Sequence, residues 1–341
     1  TGASGRRMFR RLLMAGGGAS FSPPPAAPPP VLSTAYTMLY NGQTGDGLVR
    51  IGRATSVDAG LTWTRYPSNP VIGLGAAGTW NDAQVHAPCV VWDGSQWVLY
   101  ASGYDGANYR IGRWTSADRI AWTQYGSNPL LGLGSAGSFD DAGVIAPQVT
   151  YNAALSPAWK MWYVGSKSGG TTTIGFADST DGLTWTKRGK VIDVGAAGAF
   201  DDEGVGLGCA VLVGTTWYVF VAGQSTPTGS YRAGYATCTD PAAVGTYTKH
   251  GVLAQFAGTM TLDDGYTYIS NTLTSVHLRG STYVGYGTTF DPDSTTDQRE
   301  VAFRSTSTDL VTWTTPTGVL LPLAGGTFDT ISAENPSVVE T

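Results

Sequence analysis

Cysteine is scarce in this chain, 3 residues of 341, and the odd number excludes complete intramolecular pairing. Cys89, Cys209 and Cys238 are expected as small, free, buried side chains. No CxxC or Cys/His spacing suggests a metal, and no cofactor is expected. Charge is also sparse, at 13% of residues. No apolar run approaches the roughly 18 residues that a membrane-spanning helix needs. Helical periodicity is missing from every stretch longer than about ten residues outside the extreme N-terminus. The net charge of −5 hides an asymmetry: the first 45 residues hold four arginines and no acid, so the remainder carries −9. An acidic body argues against nucleic acid as the partner.

What is abundant is glycine, 47 residues, and a recurring block of the form Ser-x-Asp-(Gly)-x-Thr-Trp-Thr. It runs from Ser56 to Thr64 and from Ser179 to Thr186, with looser copies ending at Trp122-Thr123, Tyr247-Thr248 and Trp313-Thr314. The aromatics are 59, 63, 62 and 66 residues apart. About seventeen residues after each comes an acidic block: Trp80-Asn81-Asp82, Phe139-Asp140-Asp141, Phe200-Asp201-Asp202, Leu262-Asp263-Asp264 and Phe328-Asp329. Aromatic and β-branched runs such as Trp97–Tyr100 and Trp217–Val221 follow, with Gly, Asp, Asn and Ser between them. One supersecondary unit repeated at a fixed period, with four short strands per repeat, reads as the blades of a β-propeller.

The termini suggest how the ring closes. Residues 334–339 look like the first strand of a repeat, and 35–40 like the second strand that is missing from it. The expected fold is an all-β, five-bladed propeller closed by the C-terminal strand pairing into the N-terminal blade, which leaves no open sheet edge. The expected blades are residues 330–341 with 35–78, then 79–137, 138–198, 199–260 and 261–329.

Residues 1–34 are different in kind. Arg6, Arg7, Arg10 and Arg11 lie in a short basic and apolar stretch, followed by three glycines and by six prolines within residues 23–30. Three readings compete: a twin-arginine export signal, a disordered tail with a semi-rigid polyproline spacer, and an anchor peptide docked on an assembly protein. The anchor is the reading adopted, because such a composition cannot bury itself. The propeller is therefore expected outside the cell or on a virion surface.

The pattern Ile-Gly-x-Ala-x-Ser-x-Asp-Gly-x-Thr-Trp, then Phe-Asp-Asp and x-Ala-Pro-x-Val, resembles the five-bladed propeller glycoside hydrolases. These are the arabinanase, xylosidase, levansucrase and invertase relatives. The likeness covers essentially all of 35–341. The Ser56–Trp63 turn is also similar to the Asp-box of sialidases. This resemblance implies acids on the inner strands, one of them a Glu, and Glu334 matches it. Where many relatives carry Asp after Ala-Pro, this chain has Cys89 and Gln148.

Aspartates repeated in every blade, such as Asp58, Asp118, Asp181 and Asp309, are expected to be scaffold, whereas catalytic groups should break the symmetry. Two residues before the Pro88-equivalent positions stand His86, Ile145, Gly206, Tyr268 and Glu334, read as one ring around the axis. As an enzyme the chain would use Glu334 as general acid and Asp82 or Glu203 as base or nucleophile. His86 would bind substrate or tune Glu334, and Trp80, Tyr104, Tyr109, Tyr266 and Tyr268 would offer faces to sugar rings. With no second unshared carboxylate apparent, the adopted expectation is a glycan-facing propeller without turnover, displayed on a larger assembly such as a phage tail. The alternative is a secreted glycoside hydrolase acting on arabinose-, xylose- or fructose-containing glycans.

Overall fold

A computed structural model describes residues 33–225, 230–262, 267–268, 270–290, 300–320, 328–329 and 332–341. The four N-terminal arginines, Tyr266 and the Asp263-Asp264 block lie outside the described residues. The regular elements among the described residues are strands, apart from a 3-10 turn at Ala254–Phe256. Among the described residues no helix is long and apolar enough to cross a membrane.

The strands run β1 (Tyr36–Gln43), β2 (Val49–Ser56), β3 (Thr64–Arg65), β4 (Gln84–Trp92), β5 (Trp97–Tyr104), β6 (Tyr109–Ser116) and β7 (Thr123–Gln124). They continue with β8 (Gly143–Tyr151), β9 (Trp159–Ser166), β10 (Thr172–Ser179), β11 (Thr186–Ile192), β12 (Gly204–Val213), β13 (Thr216–Gln224), β14 (Tyr231–Cys238) and β15 (Thr248–Val252). A short hairpin of β16 (Met260–Thr261) and β17 (Thr267–Tyr268) precedes β18 (Ser270–Arg279), β19 (Thr282–Phe290), β20 (Glu300–Ser307), β21 (Thr317–Leu320) and β22 (Ser332–Glu340).

Hydrogen bonds join them four at a time into antiparallel meanders, of which five can be followed among the described residues. The first is β22-β1-β2-β3, in which Glu340 faces Tyr36 and Glu334 faces Asn41. The second to fifth are β4–β7, β8–β11, β12–β15 and β18–β21. Parallel contacts link successive meanders at one end: Val49 opposite Gln84, Tyr109 opposite Gly143, and Glu300 opposite Ser332.

The repeated sequence blocks have visible jobs. In the first turn Ser56 Oγ accepts the Gly60 N–H at 2.9 Å, and Asp58 accepts the N–H groups of Leu61 and Thr62 at 3.1 and 2.9 Å. Backbone N–H donors, Thr184 first, likewise hold the Asp181 carboxyl down at about 2. These aspartates therefore stay charged to stabilise turns. The turn tryptophan then packs on the second strand of the preceding meander: Trp63 on Tyr286, Trp185 on Tyr100 and Trp313 on Phe220, with centroids 5.7–5.9 Å apart.

The acidic block is also structural. Its aromatic residue lies over two glycines of neighbouring strands, where an added Cβ would collide: Trp80 over Gly103 and Gly112, Phe139 over Gly165 and Gly175, Phe200 over Gly223 and Gly234. Trp80 is thus a half-buried packing residue of this block. The following acid is buried and meets a base from the outermost strand of its own meander. Asp140 pairs with Lys187 at 2.6 Å, Asp329 with Arg65 at 2.6 Å, and Asp201 with Lys249. The second meander has Asn81 in place of the acid and an exposed Gln124 in place of the base, so both charges are missing together. A buried charge without its partner is costly, which explains why the two change jointly.

Removing one side of such a pair has a large expected effect. Lys187→Met should lower stability by about 3 kcal/mol, read as a lower urea midpoint. The double change Asp140→Asn with Lys187→Gln, which copies the second meander, should recover most of that loss. Equal midpoints for Lys187→Met and the unaltered protein would show that the pair contributes nothing.

Candidate active site

The first strand of each meander is interrupted just where the ring residues sit. In β4 His86 faces Ser102 and Cys89 faces Tyr100, so Ala87 and Pro88 together oppose one residue. The same bulge recurs in β8, and in β22 at Asn335-Pro336. Ala87, Ala146 and Asn335 take positive φ of 53°, 49° and 49°, which strains a residue with a Cβ. Their N–H groups, freed from the ladder, donate across to the preceding meander: Ala87 to Asn41 Oδ1 at 2.7 Å, Ala146 to Ser102 Oγ at 2.8 Å, and Asn335 to Thr288 Oγ1 at 2.6 Å.

Register identifies the ring. Opposite Asn41, Ser102 and Thr288 stand Glu334, His86 and Thr272. Ile145 and Gly206 complete the set by their pairing with Val164 and Ala222. The fifth position is therefore Thr272 and not Tyr268. The extra β16–β17 hairpin lengthens this repeat, so counting from its acidic block stops four residues early. Tyr268 is 1% exposed in the core and offers no face to a ligand.

Glu334 has an unforeseen companion. Glu300, the first residue of β20, hydrogen-bonds to it through the side chain. Both line a cavity of about 210 Å³ with Leu207, Ala222, Tyr231, Thr272, Thr288 and Asn335. Glu334 Oε1 accepts from Asn41 Nδ2 at 3.4 Å and Oε2 from Asn335 Nδ2 at 3.0 Å. The Asn41 amide is oriented for this, because its Oδ1 is occupied by the Ala87 N–H.

These contacts decide where the proton resides. Burial raises Glu300, and the neighbouring Glu334 charge and its hydrogen bond raise it further, well above the ordinary range. Burial also raises Glu334, but hydrogen bonds from Glu300 and Asn41 oppose that rise. Ionisation of both carboxyls is thus disfavoured, more strongly at Glu300 than at Glu334, because like charges this close do not both ionise readily. This overturns the expectation that no second unshared carboxylate accompanies Glu334. Glu300 also breaks the repeat symmetry, since the equivalent first residues of β2, β6, β10 and β14 are Val49, Tyr109, Thr172 and Tyr231.

The other sequence candidates lie elsewhere. Asp82 accepts the Gly78 N–H at 2.7 Å, just as Asp141 serves Gly137 at 2.8 Å and Asp202 serves Gly198 at 2.8 Å. Glu203 is exposed in the turn ahead of β12. Neither lines the cavity of Glu300 and Glu334. His86 packs edge-on against Tyr109 at 5.3 Å, and burial alone pushes its pKa down to about 4, so it is neutral. Tyr109 stacks on Tyr104 with centroids 4.3 Å apart. The three cysteines are free and buried, and Cys89 Sγ accepts the Val149 N–H at 3.2 Å.

No family model matches the chain, and no curated protein does. Solved structures do resemble it. A glycoside hydrolase is 17% identical, with TM-score 0.56 over 77% of this chain and 81% of that one. A glycosyl hydrolase from Bacteroides ovatus is 16% identical, with TM-score 0.57 over 79% and 84%. A structure from the GH130 family of mannoside phosphorylases, described as containing hydrolases of β-1,2-mannosidic linkages in Candida mannan, is 16% identical, with TM-score 0.56 over 76% and 82%. These neighbours lend no support to display on a virion. At such identities they show a likeness of fold alone.

Proposed function

We propose that the five meanders close into a five-bladed ring and that the ring is a glycoside-cleaving enzyme whose working groups are Glu300 and Glu334. The ring reading is supported by the composite first meander and by the parallel contact of β20 with β22. The enzymatic reading is carried by one observation: two half-buried acids, each breaking the repeat symmetry, that interact with one another and line one cavity.

In the resting site the Glu300 proton is engaged by Glu334. A glycosidic oxygen that takes over this hydrogen bond can receive the proton as the C–O bond breaks. Water then adds to the anomeric carbon and gives its proton to Glu334. Afterwards the proton passes back to Glu300 along their hydrogen bond, which resets the pair. Asn41 and Asn335 hold the Glu334 carboxylate in place throughout. A hydrogen-bonded pair is tighter than the roughly 5–9.5 Å carboxylate separations of most glycosidases. The sugar therefore has to enter between the two groups.

The cavity of about 210 Å³ is smaller than the roughly 300–1,000 Å³ of pockets enclosing drug-sized ligands. It suits one terminal sugar unit, which favours cleavage from a chain end. The stacked Tyr104 and Tyr109 stand at the same end of the ring, because Tyr109 holds in β6 the place of Glu300 in β20. They are proposed to support sugar units further along the chain.

Incubation with arabinan, xylan and fructan oligomers and with β-1,2-mannobiose, with and without inorganic phosphate, should release monosaccharide or sugar phosphate from at least one. Glu300→Gln and Glu334→Gln should each lower kcat at least about 100-fold, given the usual contribution of a positioned acid or base. Asp82→Asn and Glu203→Gln should leave it unchanged. Turnover that survives both glutamate substitutions would overturn the assignment.

The proton on Glu300 also sets a pH dependence. Between the unfolded glutamate value, about 4.3, and its raised folded value, the native state binds more protons than the unfolded chain. Stability contributed by this group therefore falls as pH rises through that window. Glu300→Gln removes the dependence, so the variant should gain in thermal midpoint over the unaltered protein between about pH 4 and pH 7. A constant difference across that range would mean that Glu300 titrates normally.

A further inference from the structure

At the other end of β18 from the acid pair, the seam between the fifth and first meanders gathers cationic and polar groups, with no carboxylate in ion-pair contact with Arg279 or Arg304 among the described residues. His277 lies between two tyrosines, 5.1 Å from the Tyr36 ring and 5.9 Å from the Tyr286 ring by centroids. The Arg279 guanidinium approaches Tyr36, and that of Arg304 approaches Tyr286. Four polar atoms here are buried without a hydrogen-bond partner, both ring nitrogens of His277 and the Nε of Arg279 and of Arg304, while Tyr36 Oη faces the Arg279 guanidinium with its own proton still to donate. Tyr36 is only 1% exposed, so its hydroxyl cannot turn to bulk water.

Arg53, Arg113 and Arg119 also carry a buried Nε without a hydrogen-bond partner, so what marks Arg279 and Arg304 is their place beside His277. Arg65, Arg110, Arg188, Lys187 and Lys249 each meet a carboxylate, whereas neither Arg279 nor Arg304 has one within 4.0 Å among the described residues. Glu340 lies within electrostatic reach of Tyr36 but is itself exposed. His277 stands where β4 carries Val91, so an aliphatic side chain serves at the same place in another repeat. Three of these residues are partly exposed, which leaves the notch open to solute. Buried donors gathered without an acceptor carry a desolvation cost that a bound acceptor removes.

We propose that Tyr36, His277, Arg279 and Arg304 form a binding site for a tetrahedral oxyanion, a phosphate or sulfate group, free or carried on a sugar. The two guanidiniums supply charge and paired N–H donors suited to such oxygens. Tyr36 Oη and one His277 N–H supply neutral donors. The burial that depresses His277 to about 4, helped by Arg304 and Arg279, keeps it neutral, so one nitrogen donates while the other stays free. The site is about 17 Å along β18 from Thr272, by strand rise over five residues, and is distinct from the glutamate pair.

Titration calorimetry of the intact chain with sodium phosphate, sodium sulfate and glucose 6-phosphate, each against sodium chloride at equal ionic strength, tests this. Saturable binding is expected, weakened roughly 10- to 100-fold in Arg279→Gln and Arg304→Gln, the range for losing a charge-assisted hydrogen bond. His277→Val, which copies the second meander, should weaken binding without unfolding the ring and covers the case that Arg304→Gln does not fold. Tighter binding of glucose 6-phosphate than of inorganic phosphate would assign the anion to a sugar, and the reverse order to a free ion. No binding beyond the chloride control, or equal affinity in Arg279→Gln, would overturn the proposal.

Discussion

The constraint on which the rest depends is that a four-stranded meander has two apolar faces and cannot cover either by itself. Each is covered by the next repeat, and the turn tryptophan is the main contact across the seam. Trp63 meets Tyr286, Trp185 meets Tyr100 and Trp313 meets Phe220. Between the third and fourth meanders the donor and acceptor change while the contact persists, with Trp162 Nε1 bonding to the Tyr247 hydroxyl at 2.9 Å. The Ser-x-Asp turn sets the angle at which the tryptophan leaves the strand. Its charge is consumed locally by backbone N–H groups, which is why this acid recurs without doing chemistry.

Against this repetitive frame, chemistry depends on departures from symmetry. The inner-strand bulge is common to several meanders and leaves each with a freed N–H and a side chain at the ring position. Only the first places a carboxylate there, and only the fifth begins its third strand with one. The parallel contact of Glu300 with Ser332 brings these two exceptions together. Two carboxyls lining one cavity then cannot ionise independently, and their unequal hydrogen bonding makes Glu300 the harder of the two to ionise.

Much of this was legible in the chain itself. The tryptophan spacing pointed to five repeats, and the halves at the two ends pointed to the pairing of β22 with β1. Glu334 and His86 stood out as the titratable residues of a set otherwise read as Ile145, Gly206 and Tyr268. Glu300 was missed because only first strands were aligned. Aligning the third strands on their Gly-Arg-Ala-Thr-Ser-like ends would have set it against Val49, Tyr109, Thr172 and Tyr231. Tyr268 was misplaced because an inserted hairpin changes the count without changing the period. Asp82 and Glu203 were drawn in by the search for a second acid, although Asp82 belongs to a block whose repetition already marked it as structural.

The Arg65–Asp329 pair separates its partners by 264 residues. Arg65 is made well before Asp329. The first meander consequently cannot neutralise its interior or gain its inner strand until residues 328–340 have been made. The second to fourth, which carry their strands in sequence order, have no such wait. Assembly during synthesis should therefore begin in the middle of the molecule and end at its N-terminal portion, opposite to the usual order of emergence.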